Sequence, residues 1–327
     1  MSSFWLKAAL SQWKTLPYPD EDCSGRTVIV TGANCGLGLE AARHLARLKA
    51  ARVILACRDV DKAEAARRDI VGQGHGGAVE AWPLDLGSFD SVRAFAARAA
   101  ALDRLDLLVN NASLLAFEWA LLEGHEAMVT VNVLSTFLLT ILLLPALRRT
   151  GARFNVMPHV VIVASDGAFM ARFPQRTADQ VLERLKLDEH LEERYNTTKL
   201  LQLMLMRRLA EASSAGAGAG GPAVVVNALN PGFCSTQLFR RLPFPFSLLR
   251  YLAFALAARS PEVGSRTLLA AAFAGEASHG RCMSDCVVRD EWPTLMDGDD
   301  GRRLADKLWA ELGEVLEAVE PGVMSNV

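Results

Sequence analysis

The sequence predicts an α/β protein with a mainly parallel, doubly wound sheet and helices on both faces. Short apolar segments rich in β-branched residues alternate with longer helical patterns along most of the 327 residues, as expected for βαβ units. A glycine cluster follows the first of these segments, where a strand would turn into a helix. Because crossovers between parallel strands are right-handed, these units together indicate a Rossmann fold.

The predicted strands follow one another in chain order. They are Thr27–Thr31, Arg52–Cys57, Val79–Leu84, Leu105–Val109, Val160–Ala164 and Val224–Leu229. Helical patterns lie between them, the first running from the glycine cluster to Leu48 and the next near Asp61–Val71. The most apolar stretch, Val133–Leu147, contains polar residues and a proline and falls short of the roughly 20 residues that span a bilayer. We interpret it as a buried helix.

The chain is expected to form one domain. Residues 1–24 are an N-terminal extension that ends in two prolines and an acidic run, and residues 25–327 form the single Rossmann-fold domain. Lysines at positions 7 and 14 interrupt the extension, which does not match a signal peptide. The Gly/Ala-rich segment Ser213–Pro222 predicts a flexible surface loop.

Composition narrows the classes of partner. Apolar residues make up 51% and charged residues 22% of the chain, which is typical of a soluble globular protein. The net charge of −2 provides no basic field and argues against a nucleic-acid partner. The six cysteines are scattered, and only Cys282 and Cys286 lie close together. We therefore expect reduced thiols, no metal site and a cytoplasmic protein.

The segment Thr31–Gly38 (TGANCGLG) directly follows a Val-Ile-Val strand. Glycines there let the backbone turn tightly and approach a pyrophosphate, which is stabilised by the positive end of the following helix. The spacing G-x3-G-x-G differs from the commoner G-x-G-x-x-G. Glycines also serve helix packing at such turns, but the position after the first strand favours nucleotide binding.

Tyr195 and Lys199 are spaced i and i+4 and would share one face of a helix. A free tyrosine titrates near pH ~10, and a neighbouring ammonium favours the phenolate and lowers that pKa. The pair therefore predicts acid–base chemistry. An isolated pair of this kind would instead favour a solvated helix face.

Five segments in register resemble the short-chain dehydrogenase/reductase superfamily, in particular its retinol-dehydrogenase-like and fungal secondary-metabolism members. The segments are Thr31–Gly38, Pro83-Leu84-Asp85-Leu86, Asn110-Asn111-Ala112, Tyr195-x3-Lys199 and Asn230-Pro231-Gly232-x3-Thr236. Ser113 replaces the glycine that the family has after Asn-Asn-Ala. The resemblance covers roughly residues 25–290 and implies hydride transfer between a nicotinamide cofactor and a carbon bearing oxygen.

The resemblance implies a catalytic set of Tyr195, Lys199, Ser165 and Asn132. Tyr195 would exchange a proton with the substrate oxygen, Lys199 would also hold the nicotinamide ribose, and Asn132 would hold a proton-relay water. Alignment on the preceding strand makes Ser165 the donor to the reacting carbonyl. Asp166 is the competing register, although a carboxylate there would repel a developing oxyanion.

The same resemblance implies a set of cofactor contacts. They are Gly32, Asn34, Cys35, Gly36, Leu37, Gly38, Arg58, Asp85, Leu86, Asn111, Ala112, Tyr195, Lys199, Pro231, Gly232 and Thr236. Arg58 directly follows the second strand, where a carboxylate would select NAD and an arginine would meet the 2′-phosphate of NADP. Asp59 is the alternative selecting residue and would restore a preference for NAD. We expect NADP(H).

The segment at about 237–260 corresponds to the family's substrate lid, and its apolar residues predict a hydrophobic small-molecule substrate. Flanking arginines leave peripheral contact with an intracellular membrane open, and simple packing or burial in a homo-oligomer would also explain the segment. The expected activity is an NADP(H)-dependent carbonyl/alcohol oxidoreductase of fungal secondary metabolism. The alternatives are a membrane-associated retinoid or sterol dehydrogenase and a non-catalytic NADP(H) sensor.

Overall fold

The computed structural model describes residues 10–214, 223–236 and 258–327. All of the predicted strands fall within these ranges. Most of the predicted lid (237–257) and most of the predicted Gly/Ala-rich loop (215–222) lie outside the described residues.

One large sheet carries the fold and confirms the predicted fold class. In chain order the described strands are β1 Thr27–Thr31, β2 Arg52–Cys57, β3 Ala78–Pro83, β4 Leu107–Asn110, β5 Leu121–Leu122, β6 His125–Glu126, β7 His159–Val163, β8 Val225–Asn230, β9 Cys282–Ser284 and β10 Val287–Val288. Eight of them form the sheet in the order β3-β2-β1-β4-β7-β8-β9-β10, whereas β5 and β6 form a separate hairpin. Neighbouring strands of the sheet are parallel except for β9 and β10.

All six predicted strands are present. β1 and β2 have the predicted bounds, and the other four differ by one or two residues at their ends, where strand boundaries are least sharply defined. The described helices are α1 Gly36–Arg47, α2 Val60–Gly72, α3 Phe89–Ala100, α4 Ala127–Val129, α5 Ser135–Phe154, α6 Gly167–Met170, α7 Val181–Arg184, α8 Leu191–Ser214, α9 Pro261–Ala272 and α10 Gly298–Val319.

Each face of the sheet is covered by its own hydrophobic core. Successive side chains of a strand point to opposite faces, and in β1 Ile29 enters one core while Val28 and Val30 enter the other. Helices α3, α5, α8 and α10 cover the face of Ile29, and α1, α2 and α9 cover the opposite face. This is the doubly wound arrangement that the alternating pattern predicted.

The apolar stretch Val133–Leu147 lies within and just before α5, and its predicted burial is confirmed. By length and composition alone the helical stretch Ala127–Phe154 could cross a membrane, but 89% of its most apolar window is buried inside the protein. The neighbouring helices and the sheet thus cover the apolar surface of α5, which packs as a core helix.

The described part of the N-terminal extension packs against α1 and α9. Leu16 is buried, and the ring of Tyr18 lies edge-on to His44 with 5.2 Å between the centroids. Arg266 of α9 donates a hydrogen bond to the Leu16 carbonyl at 2.9 Å. These contacts bring the first described residues, around Ser11, to the carboxyl-terminal side of β8, as described below.

A crevice opens at the carboxyl ends of β1 and β4. These strands are neighbours, but the chain continues from β1 to β2 and β3 on one side and from β4 to β7 and β8 on the other. The connections therefore diverge, and ligands of open α/β sheets bind at such a point. Both the glycine segment after β1 and Asn111 after β4 border this crevice.

Candidate functional site

The three glycines of the segment between β1 and α1 serve different structural roles. Gly32 and Gly36 have φ values of +65° and +59°, a region that side chains disfavour. A Cβ on Gly38 would lie 2.5 Å from the Asn111 amide nitrogen and 2.7 Å from the Gly32 oxygen. A Cβ on Gly36 would meet nothing closer than Thr236 at 3.7 Å. Gly38 thus permits close packing, while Gly36 leaves room beside the start of α1.

The start of α1 has the features of an anion-binding helix terminus. The helix begins at Gly36, Cys35 precedes it in extended conformation without a capping side chain, and the first turn contains no acidic residue. Its first amides therefore present partial positive charge. Asn34, Cys35 and Leu37 are all partly exposed in this turn, and the set of predicted loop residues borders one surface that would accept a pyrophosphate.

Thr31 and Asn111 tie the ends of β1 and β4 together. The Thr31 hydroxyl accepts hydrogen bonds from the backbone amides of Asn111 and Ala112 at 3.0 and 2.9 Å. The Asn111 side-chain amide donates to the Thr31 carbonyl at 2.9 Å. The width of the crevice is thereby fixed by the protein itself, with Ala112 held against Gly32.

At the end of β2, Arg58 and Asp59 have different surroundings. Asp59 is the N-cap of α2: its carboxylate accepts from the Lys62 amide at 3.1 Å, and hydrogen bonds from Lys62 lower its pKa. Arg58 is exposed, and among the described residues it has no ion-pair partner. Its guanidinium is therefore available to an anionic ligand, whereas the Asp59 carboxylate is engaged.

Asp85 and Leu86 follow β3 at the same edge of the sheet. Asp85 accepts from the Gly87 amide at 2.8 Å, and its own amide donates to the Ser91 hydroxyl at 2.9 Å. Leu86 is buried. These contacts hold the turn after β3, and they leave Asp85, one of the predicted cofactor contacts, partly exposed.

Tyr195 and Lys199 lie one turn apart on α8. The Lys199 ammonium is 5.6 Å from the Tyr195 ring centroid and donates to the Val163 carbonyl at the end of β7 at 2.8 Å. Burial lowers the pKa of Lys199 to about 7. Burial also raises the pKa of Tyr195 to about 12, although a hydrogen bond with the Ser165 side chain opposes the rise. Tyr195 is therefore a neutral phenol in this form.

The pKa of Tyr195 differs from the sequence-based expectation that Lys199 lowers it. The physical reason is that burial penalises the charged form of each residue. A neutral phenol beside a buried lysine is a proton donor, and the phenolate left after proton transfer would gain from the nearby ammonium.

The structure distinguishes Ser165 from Asp166. The Ser165 side chain lies beside the Tyr195 phenol and opposes the rise of its pKa, and the Ser165 hydroxyl accepts from the Gly167 amide at 3.1 Å. Asp166 forms an ion pair with Arg289 at 2.9 Å. The serine hydroxyl therefore lies beside the phenol, and the competing carboxylate is directed to a cation.

Asn132 occupies a single π-helical turn, Thr130–Leu134, at the start of α5, a feature that often marks functional sites. Its side-chain oxygen accepts from the Ser113 hydroxyl at 3.1 Å and the Leu114 amide at 2.7 Å. Its amide nitrogen donates to the Leu114 carbonyl at 2.9 Å and to the Thr198 hydroxyl at 3.1 Å. The side chain thus joins the turn after β4 to α8, and Ser113, the departure from the family's glycine, contributes to that junction.

The turn after β8 faces the glycine segment. Gly232 has a φ of +79°, Pro231 precedes it, and Thr236 is the nearest side chain to Gly36. The backbone of Arg259 pairs with this turn: its amide donates to the Phe233 carbonyl at 2.9 Å, and its carbonyl accepts from the Ser235 amide at 3.0 Å. Both ends of the chain between Ser235 and Arg259 therefore meet at the crevice.

Buried polar groups that the sequence analysis did not single out support this turn. The Arg259 guanidinium is buried, donates to the Pro231 carbonyl at 3.1 Å and pairs with Asp285 at 2.7 Å. It also donates to the Ser11 carbonyl at 2.6 Å, and Gln12 accepts from the Phe233 amide at 3.1 Å. Burial would raise the pKa of Asp285, but hydrogen bonds from Ser11, Arg259 and Lys14 lower it. Only the long-range fold brings these residues together.

All six cysteines are free thiols, including Cys282 and Cys286. Across the described ranges, no three histidine, cysteine or carboxylate side chains cluster as metal ligands. Burial raises the pKa of Cys57, beside the glycine segment, to about 12, although hydrogen bonds from the Ala33 and Asn34 amides oppose the rise. Cys57 is therefore an uncharged packing residue at the floor of the site.

The chain is similar to proteins of one family. A family model described as short chain dehydrogenase matches residues 26–176. The short chain dehydrogenase/reductase dmxR8 of Cryptosporiopsis sp. (strain 8999) is 39% identical over 96% of this chain and 97% of its own length. The short chain dehydrogenase atnD of Emericella nidulans is 42% identical over 85% of this chain and 90% of its own.

A solved structure agrees with these relatives. The Pseudomonas aeruginosa RhlG/NADP active-site complex superposes with a TM-score of 0.62 and 25% identity, over 82% of this chain and 97% of that one. With the two fungal relatives matched over most of their length, the chain belongs to the short-chain dehydrogenase/reductase family and is an oxidoreductase acting on alcohols or carbonyls.

Proposed function

We propose that the protein is an NADP(H)-dependent oxidoreductase that interconverts a carbonyl and an alcohol on a hydrophobic small molecule in fungal secondary metabolism. The observation that carries the proposal is the group of Tyr195, Ser165 and Lys199 at the carboxyl end of β7. A neutral phenol and a serine hydroxyl lie beside each other and next to a buried lysine. Two such hydroxyls can both donate to one substrate oxygen.

The crevice fits a nicotinamide dinucleotide. The open space beside Gly36, the uncapped start of α1 and the positive φ of Gly32 match the needs of a pyrophosphate. Thr31 and Asn111 would hold the crevice at a fixed width, and Thr236 would close it from the other side. When bound, the cofactor would supply or accept the hydride.

Side chains of this protein would donate and accept the proton that the reaction requires. In the reducing direction, Ser165 donates a hydrogen bond to the substrate carbonyl and Tyr195 transfers its phenolic proton to that oxygen. The Lys199 ammonium stabilises the resulting phenolate. In the oxidising direction the phenolate takes the proton back. A non-catalytic sensor would need the glycine segment but none of these three side chains in this arrangement.

The preference for NADP rests on Arg58. Its exposed guanidinium can form charge-assisted hydrogen bonds with a 2′-phosphate, while Asp59 is engaged as a helix cap. RhlG, a structural relative, has been solved with NADP. The fungal origin of the two relatives supports the metabolic assignment.

We further propose a cytoplasmic protein without a nucleic-acid partner, on the basis of its small net charge and free thiols. The predicted lid, which would select the hydrophobic substrate, lies largely outside the described residues. Two alternative explanations of the apolar lid segment are contact with a membrane, as in a membrane-associated retinoid or sterol dehydrogenase, and burial in a homo-oligomer. Pelleting with lipid vesicles tests the former and sedimentation tests the latter.

The test of the proposed function is consumption of NADPH and NADH against a panel of apolar ketones and aldehydes. We expect turnover with NADPH, and we expect Arg58→Ala to raise the KM for NADPH by about ten- to a hundredfold, because charge-assisted bonds of ~1.5–3 kcal/mol are lost. NADH kinetics should change little. Arg68→Ala, which removes an exposed arginine from α2, is the matched control. A wild-type preference for NADH would overturn the assignment of NADP.

A further inference from the structure

Gln202 lies on α8 one turn beyond Lys199 and is 1% exposed. The Lys199 ammonium donates to its side-chain oxygen at 3.0 Å. Its side-chain nitrogen donates to the backbone carbonyl of Asn132 at 2.6 Å. One buried amide therefore connects the lysine of the site to the π-helical turn, and it belongs to none of the motifs that the sequence analysis used.

The chemistry of its neighbours fixes the orientation of this amide. An ammonium can only donate hydrogen bonds, and a backbone carbonyl can only accept them. A flipped amide would place donor against donor at Lys199 and acceptor against acceptor at Asn132. The oxygen of Gln202 must therefore face the lysine, and its nitrogen must face the carbonyl.

Lys199 has few other polar neighbours. Its second acceptor is the Val163 carbonyl at 2.8 Å, and both acceptors are neutral. Within the described residues, the titratable group packed against it is Tyr195 on its own helix. On the segment after β7, the carboxylate of Asp166 is paired with Arg289, and burial lowers the pKa of Lys199. Among the described residues, the side-chain oxygen of Gln202 and the carbonyl oxygen of Val163 are thus the groups that favour the charged form of Lys199.

We propose that Gln202 is a positioning residue: its amide oxygen holds Lys199, and its amide nitrogen is itself held by the Asn132 carbonyl, so that the third N–H direction of the ammonium is presented to Tyr195 and the crevice. The proposal concerns the catalytic lysine of the proposed oxidoreductase and so rests on that function. It adds a residue outside the Tyr-x3-Lys motif to the machinery.

The π-helical turn makes Asn132 a rigid support for this contact. The Ser135 amide donates to the Thr130 carbonyl, so the turn is wider than an α-helical one. The Asn132 side chain is engaged on both its oxygen and its nitrogen, as described above, and the residue is fully buried. The position of its carbonyl is therefore fixed, and Gln202, which is hydrogen-bonded to that carbonyl, in turn fixes the position of Lys199.

The connection orients the lysine and does not conduct protons. An amide neither gains nor loses a proton near neutral pH, so the proton used by Tyr195 does not travel through Gln202. The expected consequence of removing the amide is a less stable ammonium and not a blocked proton path. This consequence can be measured without substrate or cofactor.

The test is titration of Lys199 in the cofactor-free protein by NMR of lysines labelled with ¹³C at the ε carbon. The sequence contains seven lysines, and the loss of one resonance in Lys199→Arg assigns the signal. Gln202→Met keeps the length of the side chain but removes the acceptor, and it should lower the Lys199 pKa by about one unit or more. Gln202→Glu replaces the acceptor by a carboxylate and should raise the pKa by a similar amount.

Gln175→Met is the matched control, since Gln175 is also buried but donates to the Glu189 carbonyl at 3.5 Å. It should leave the Lys199 titration unchanged. An unchanged Lys199 pKa in Gln202→Met, or shifts of the same sign in Gln202→Met and Gln202→Glu, would overturn the proposal. Failure of the proposed function would appear separately, as absence of turnover in the wild type with a normal Gln202-dependent titration.

Discussion

Helix α8 carries two buried cations, Arg194 and Lys199, whose surroundings differ. Arg194 is 1% exposed, lies 3.4 Å from the buried carboxylate of Glu126, and donates to the carbonyls of Leu185, Leu187 and Glu189. Lys199 is 2% exposed and, among the described residues, donates only to neutral acceptors. Of these two buried cations, Arg194 therefore has a counter-ion, whereas the described part of the chain provides none for Lys199.

The difference indicates a structural role for Arg194, whereas Lys199 is the cation that we propose takes part in the reaction. Burial lowers the pKa of both residues, but Glu126 opposes the effect at Arg194 and no carboxylate does so at Lys199. Glu126 also accepts from the Met128 and Val129 amides at 3.1 Å, so the pair holds α4 against the loop before α8. The charge of Lys199, in contrast, is left to respond to a negative charge that forms on Tyr195.

Tyr195→Phe should give the largest effect on chemistry and sharpen this comparison. The substitution removes the proton donor and leaves the ring, so turnover should fall by ~10²–10⁴. Steady-state kinetics measure the loss, while NADPH fluorescence should show that cofactor binding survives. Full activity in this variant would contradict the proposed proton transfer.

Arg194→Met should instead act on stability. Removing one partner of a buried ion pair typically costs ~3–5 kcal/mol, measurable by urea unfolding, whereas the folded variant should keep its catalytic rate within severalfold. Burial raises the pKa of Glu126, so its unpaired charge destabilises the folded state most above the raised pKa of the folded protein. The loss of stability should therefore shrink as the pH falls and Glu126 becomes protonated.

Glu126→Gln combined with Arg194→Met is the control for that variant. It removes both charges and should recover part of the lost stability. A loss of catalytic rate as large as that of Tyr195→Phe, with stability unchanged, would mean that Arg194 belongs with Lys199 and that the comparison fails.

Ser165→Ala and Asp166→Ala test the neighbouring segment and give the smallest expected effect. Loss of one donor to a developing oxyanion costs ~3 kcal/mol in the barrier, so Ser165→Ala should lower kcat by about a hundredfold. Asp166→Ala removes a partly exposed pair with Arg289, and such pairs contribute ~0–1 kcal/mol. The reverse ranking of the two variants would assign the carbonyl contact to Asp166.

The fold was predictable because its strands are short, apolar and bounded by turn residues. The patterns placed β1 and β2 at their observed bounds, and the glycine segment and the Tyr-x3-Lys spacing marked the crevice. These features are local in the chain. The choice of NADP through Arg58 stays a prediction, since it depends on a ligand.

The supporting contacts were not predictable because they join distant positions. Gln202 meets Asn132 across 70 residues of chain, and Asp166 meets Arg289 across 123. Helical periodicity shows that Gln202 lies near Lys199 but not which carbonyl its other end reaches. The sequence likewise leaves both registers of Ser165 and Asp166 open, because local spacing shows neither the pairing of Asp166 with Arg289 nor the position of Ser165 beside Tyr195.

The backbone pairing of Arg259 with residues 233–235 has an evolutionary consequence. Because Arg259 pairs with residues 233–235 through its backbone, these hydrogen bonds do not depend on the side chains that the intervening chain carries. Substitutions in that chain should therefore leave the hydrogen bonds around Pro231 and Gly232 in place. Duplicated copies of this protein would therefore be able to diverge in the substrates that they accept, while the side chains of the proposed reaction stay the same.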